Sequence, residues 1–354
     1  MTPAIPTSPE KPRLAFIDLA KGLCIMLVVW HHVVSTWGYP SYPGQLMCSS
    51  FRMPLYFFLS GLFFKSYDGF LDFTRRKTNK LLIPFVFFFI TTSCLLAFVL
   101  AHFHLRANPG SSVWLSFFWQ ENFPNLPIWF LLSLFWANLL FYLLTLLSKN
   151  IFGKWIFRKV PAEKGTLGAL VAMSALIGIT GYCLGHFDTN IPMFLDTTMT
   201  SVPFFCLGHL AFRYTNLLKP NRFDKWNIPL ALGGFALTYW LADSPVFYVS
   251  NSFGLSIWRL YLCGLLGTIS IILFSKAVKK IPLVSYFGRY SIMILLTHGW
   301  VQWAFIQVLQ RNQVHWPVQL SLTLVFVLTM LLYLGIIPFM KRFMPHVTAQ
   351  KDVL

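Results

Sequence analysis

The chain has 354 residues, 56% of them hydrophobic and 11% charged, with a formal net charge of +17 and a mean hydropathy of +0.63. A soluble protein of this length carries about 25% charged residues. Apolar runs of roughly 18 to 25 residues recur along the chain, each long enough to cross a bilayer as a helix. The composition therefore excludes a soluble globular class and predicts an all-α, polytopic membrane helix bundle.

Residues 1–12, MTPAIPTSPEKP, are polar and Pro-rich and read as a disordered cytoplasmic tail. They do not read as the start of a cleavable signal, because the apolar run that follows is too long, contains Asp18 and Lys21, and lacks a small-x-small pattern. About ten spans follow, near 14–36, 46–66, 81–102, 127–148, 166–185, 197–212, 228–242, 254–275, 288–309 and 317–339, within a membrane domain of residues 13–340 and ahead of a cytoplasmic tail, 341–354. With both termini cytoplasmic, all of the 28 basic residues except Lys21, Arg52, Arg106, Arg259 and Arg311 fall on the cytoplasmic side, as the positive-inside rule requires. The charge is thus a topology signal, and nucleic acid is not an expected partner. The six cysteines lie in or beside apolar runs with no metal-ligand spacing, so no metal is expected. A bridge between Cys48 and Cys183, both near outer helix ends, stays open.

The first span, FIDLAKGLCIMLVVWHH (16–32), carries a carboxylate, an ammonium and two imidazoles. At about 100° per residue, Lys21 and His32 fall within about 20° of one another, Asp18 lies about 60° to the other side, and His31 is about 80° off the stripe. Lys21 and His32 are separated by about 16 Å along the axis. Singly, Lys21 reads as snorkelling and His32 as interfacial. Together they form a polar stripe, and intramembrane ionisable groups usually face a bundle interior and mark a site. The second span, FRMPLYFFLSGLFF (51–64), puts Arg52 at a depth His32 can approach; Ser60 and Gly61 read as small-residue packing. RRKTNKLLIP (75–84) brings Arg75, Arg76 and Lys80 to the cytoplasmic side. The external segment near 103–126 holds Glu121, and Trp129 follows it. Arg259 reads as lying inside the eighth span, and His298 inside the ninth as an interhelical hydrogen-bonder. No internal repeat is visible.

These motifs, in order with PIWFLLSLF (127–135), SVPFFCLGHLAF (201–212) and YFGRYSIMILLTH (286–298), resemble the acyltransferase-3 family of integral-membrane O-acyltransferases, in the branch of fucose 4-O-acetylase-like proteins. The first-helix pattern of a basic residue, ten residues and a histidine is met by Lys21 and His32. Arg52 departs from the branch, which often has His there. The resemblance implies a ten-helix core in a bacterial cytoplasmic membrane. It also implies transfer of an acyl group, usually acetyl from acetyl-CoA, to a hydroxyl of a cell-surface glycan or its lipid-linked precursor. The chemistry is then expected from the membrane core alone.

On that reading His32 is the general base, since a neutral imidazole titrates near about 6.5 and suits proton removal from an alcohol. Asp18 joins it on the catalytic stripe. Lys21, Arg75, Arg76 and Lys80 are expected to hold the coenzyme A phosphates. Arg52 or Arg259 could stabilise the thioester oxyanion or bind an anionic sugar group. Glu121, Trp129 and His298 are expected near the acceptor. The competing reading is a transporter or flippase of lipid-linked glycans, which needs polar residues spread through more helices than these.

Overall fold

The computed structural model describes residues 14–36, 44–102, 125–152, 162–220, 222–311 and 316–354. They form helices α1 (Ala15–Thr36), α2 (Gln45–Leu62), α3 (Phe70–Lys77), α4 (Ile83–His102), α5 (Trp129–Leu147), α6 (Ala162–His186) and α7 (Leu195–Tyr214). After these come α8 (Asn227–Leu241), α9 (Ile257–Val278), α10 (Pro282–Arg289), α11 (Ser291–Arg311) and α12 (Val318–Phe343). A two-stranded antiparallel hairpin, β1 (Val246–Phe247) with β2 (Ser252–Phe253), precedes α9. A π-helical turn, Thr78–Leu82, joins α3 to α4. The fold is the expected all-α bundle.

Seven helical stretches are long and apolar enough to cross a bilayer: Ala15–Thr36, Phe70–Leu95, Leu126–Asn150, Glu163–His186, Ile257–Val278, Ser291–Arg311 and Val318–Phe343. The other three expected spans are also helical, but differ for a physical reason. Helices α2 and α7 bury polar side chains, among them Ser49, Ser50, Arg52, Asp196, Thr197 and Thr198, between neighbouring helices. Helix α8 has 15 residues, about 22 Å of rise against a hydrocarbon core of about 30 Å. The outward faces stay apolar, as lipid contact requires, with Leu176, Phe98 and Trp240 all exposed.

Helix α2 lies against α7 and α9, while α1 lies against α9, α10 and α11. Two of these crossings are made by glycine pairs. A Cβ at Gly61 would overlap the Phe205 carbonyl, and one at Gly208 the Phe58 carbonyl, so α2 and α7 touch backbone to backbone. Likewise Gly22 sits on the Val284 carbonyl and Gly288 on that of Asp18, locking α10 onto α1. Close approach of this kind takes the place of the hydrophobic drive that lipid removes, and it is the packing role the sequence suggested for Gly61. All six cysteines are free.

Candidate active site

Helix α1 delivers Lys21 and His32 to two different surroundings. Lys21 lines a cavity of about 250 Å³ walled by α1, α2, the end of α3 with the π-turn, α5 and α11, with Tyr56, Ser60, Lys77, Phe130 and Ser291 around it. Tyr56 Oη donates to the Lys21 carbonyl at 3.3 Å, tying α2 to α1 there. A second hollow of about 180 Å³ adjoins it, lined by Arg76, Lys77, Lys80, Asn138 and Asp352. The two share Ser60, Lys77, Leu81 and Leu134, so a route runs from the cations beside the π-turn inward to Lys21.

Arg76 and Lys80 therefore stand at the mouth, as a polyanion site requires, but each is already engaged. Arg76 Nε pairs with Asp72 at 2.9 Å, and Lys80 Nζ pairs with Asp352 at 3.0 Å and donates to the Ala349 carbonyl at 3.1 Å. The segment around Asp352 is pinned by Asn79, whose Oδ1 accepts from the Val353 and Leu354 amides at 2.9 and 3.0 Å. Arg75 is exposed and lines neither hollow. Lys77, which the sequence reading passed over, lines both. Asn138 is buried, its Nδ2 donating to the Leu134 carbonyl at 2.7 Å while Oδ1 has no partner among the described residues.

His32 lies beyond the inner end of this route. Its ring centroid is 5.1 Å from that of His298 on α11 and 5.5 Å from that of His31. His298 is fully buried, and its Nδ1 sits 2.9 Å from the Ile294 carbonyl and 3.2 Å from that of Leu295. A carbonyl only accepts, so Nδ1 carries the proton in the neutral ring and Nε2 keeps its lone pair. That Nε2 is buried without a partner among the described residues. One turn further along α11, Gln302 donates from Nε2 to the Val29 carbonyl at 2.8 Å; Asn125, ahead of α5, donates from Nδ2 to the carbonyl of Leu296, two residues before His298, at 2.9 Å. Neither was singled out from sequence, although Gln302 stands four residues from His298 on the same helix face.

Arg52 is buried on α2, with Nη1 donating to the Leu27 carbonyl at 3.3 Å. In return the Arg52 carbonyl accepts from Cys24 Sγ at 3.3 Å. Its guanidinium is near enough for the charge to act on both His31 and His32. The bond to the Leu27 carbonyl seats Arg52 against α1 five residues before His32.

Other expected members stand apart. Asp18 precedes His32 by fourteen residues, about 21 Å of helix, and its carbonyl meets Gly288 at the α1–α10 crossing. It does not belong to the histidine cluster. The single wet chamber implied by the Lys21–His32 stripe is not continuous either. The cavity around Lys21 is lined as far as Ile25 and Leu295 but not by His32 or His298. Trp129 is buried against Phe194, with centroids 5.6 Å apart, and lines neither hollow. Glu121 lies outside the described residues.

Arg259 lines neither hollow. It is the third residue of α9, partly exposed, paired with Asp243 and stacked 5.3 Å over Trp258. The hydrogen bond from Arg259 holds the Asp243 carboxyl below its ordinary range. The helix of the span expected near 254–275 starts at Ile257, which puts Arg259 in its first turn. Arg259→Ala is accordingly expected to leave transferase activity within about two-fold, because an exposed ion pair contributes little. A ten-fold loss at matched protein level would return it to the site.

The family model of the acyltransferase domain matches residues 14–337. The chain belongs to the acyltransferase-3 family. Among curated proteins and solved structures none matches it. The matched region of this membrane acyltransferase contains Lys21, Arg52, His32, His298 and the basic mouth, but not the segment around Asp352 that closes on Lys80.

Proposed function

We propose that this acyltransferase moves an acetyl group from acetyl-CoA to a hydroxyl of a cell-surface glycan or its lipid-linked precursor, across a bundle of ten spans with both termini in the cytoplasm of a bacterial cell. The observation that carries the reading is the route from Arg76, Lys77 and Lys80 to Lys21, which ends at Ile25 and Leu295, short of the His32–His298 pair further along α1. Coenzyme A is a long polyanion with a thin arm. Its phosphates suit the basic mouth, Lys21 suits a phosphate or amide oxygen further in, and the acyl end passes between Ile25 and Leu295. The resemblance to fucose 4-O-acetylase-like proteins supports a sugar hydroxyl as acceptor.

In this mechanism His32 takes the proton of the acceptor hydroxyl while its oxygen attacks the thioester carbon. The negative charge that develops on the carbonyl oxygen is met by Arg52, a cation at any accessible pH. The C–S bond then breaks, and the imidazolium returns its proton to the departing thiolate, giving an ester and free coenzyme A. His298 presents a second lone pair 5.1 Å away, ring to ring, and orients the hydroxyl.

Membranes containing the protein, offered acetyl-CoA labelled in the acetyl group, should pass the label to glycan. No transfer, with lipid-linked glycan accumulating on deletion, would instead point to translocation. Lys21→Ala should raise KM for acetyl-CoA about ten-fold or more, the size of a lost charge-assisted contact, with kcat little changed. A fall in kcat at unchanged KM would remove Lys21 from donor binding.

A further inference from the structure

Beside the donor mouth, with Tyr67 lining both, the basic end carries a larger hollow of about 710 Å³ between the ends of α2, α5, α6 and α7. Lys65, from the loop after α2, Lys149, from the π-helical turn Ser148–Phe152, and Arg213, from the last turn of α7, line it. Among the described residues none of the three is in an ion pair. Arg76, Lys80 and Lys276, by contrast, each hold a carboxylate. Two of the three also share a neighbour: Lys149 and Arg213 both act electrostatically on His209, which lines the same hollow. The His209 ring is held edge-on by Phe64 at 5.7 Å and Phe141 at 5.4 Å. Glu163 lines the hollow too but pairs with none of the three. The rest of the wall mixes hydroxyls, among them Thr145, Ser148 and Thr166, with an apolar strip of Leu167, Leu170 and Leu210, and Phe212, which also lines it, is 54% exposed.

Like charges around one hollow repel, modestly where they are as exposed as these three, and an anion placed among them turns that repulsion into attraction. Hydroxyls beside cations suit phosphate oxygens, an apolar strip with an exposed Phe212 suits an apolar attachment on the charged group, and basic pockets between helices at a bilayer surface take phosphate headgroups. We propose that this hollow is a second site, distinct from the donor route, that binds a phosphate ester through Lys65, Lys149 and Arg213. The phosphate arrives on a membrane lipid or on a soluble ester, and the chemistry of recognition is shared.

The test uses the full-length protein in a neutral detergent and reads the ligand-dependent rise in unfolding temperature, which follows binding by mass action. The probes are dihexanoyl phosphatidic acid, dihexanoyl phosphatidylcholine and glycerol 3-phosphate. Saturable binding of phosphatidic acid, at least ten-fold weaker in Lys149→Gln/Arg213→Gln and unchanged in Arg76→Gln, is the expected result. Glycerol 3-phosphate binding as tightly as phosphatidic acid would make the source a free phosphate ester; phosphatidic acid alone would make it lipid. Equal binding of phosphatidylcholine, or a double variant that binds phosphatidic acid as the parent does, overturns the site. Should that variant not fold, Lys65→Gln must weaken binding and Lys149→Arg must preserve it. No step requires turnover, so failure of the acetyl-transfer reading leaves this result legible.

Discussion

His32→Ala is expected to lower acyl transfer by a factor of about 10² to 10⁴, the usual contribution of a positioned general base, with KM for acetyl-CoA nearly unchanged. The separation follows from the geometry, since Lys21 and the mouth stand about 16 Å away along α1. Protein level and unfolding should be close to those of the parent, because the His32 ring is partly exposed and makes no hydrogen bond among the described residues. His298→Ala removes a fully buried ring that is bonded to its own helix, so it should reduce both activity and stability. If the two imidazoles serve one proton transfer, the double variant should be no slower than His32→Ala alone, since residues acting as a unit are not additive. Retention of more than half the turnover in His32→Ala, with loss in His298→Ala, would move the base to Nε2 of His298, whose lone pair the Ile294 carbonyl fixes.

How far the sequence carried this site depends on the range of each signal. The α1 stripe was legible because a helix repeats every 3.6 residues, so Lys21 and His32 could be placed without any partner helix. The nearness of Arg52 followed from depth alone, a coordinate that a bilayer imposes on both helices. The His32–His298 pair was not legible in the same way, because it depends on which two helices are neighbours, and residues 266 positions apart share no local pattern. Lys77 was hidden in a run of cations that the topology already explained. The grip of Asp352 on Lys80 joins two segments more than 270 residues apart. Arg259 shows the reverse case: with the span drawn three residues early, its place in the first turn, within reach of Asp243, could not be read. Continuity of the chamber was beyond reach, since it depends on whether Ile25 and Leu295 leave a gap, which only packed coordinates determine.

Gly288→Ala should be among the most damaging small substitutions in the chain. The added methyl would overlap the Asp18 carbonyl and lie 2.5 Å from the Gly22 nitrogen. All of these are backbone atoms, so no side-chain rotation relieves the clash and α10 must move away from α1. Overpacking ordinarily costs about 1 to 3 kcal/mol where side chains can yield; the upper end or more is expected here, seen as a fall of several degrees in unfolding temperature. The consequence for activity is larger than the stability alone implies. Helix α1 carries Lys21 and His32, while α10 leads directly into α11 with Ser291 and His298. A shift at this crossing therefore displaces both walls of the donor cavity and both imidazoles, and acyl transfer should fall at least ten-fold even at temperatures where the variant stays folded, since small misplacements at a reacting centre are strongly felt. Gly335→Ala supplies the contrast: nothing lies within 4 Å of its added methyl, and alanine is the better helix former by up to about 1 kcal/mol. If both variants unfold within a degree of the parent, the α1–α10 contact is looser than its backbone spacing requires, and the rigid seating of the site on that crossing is wrong.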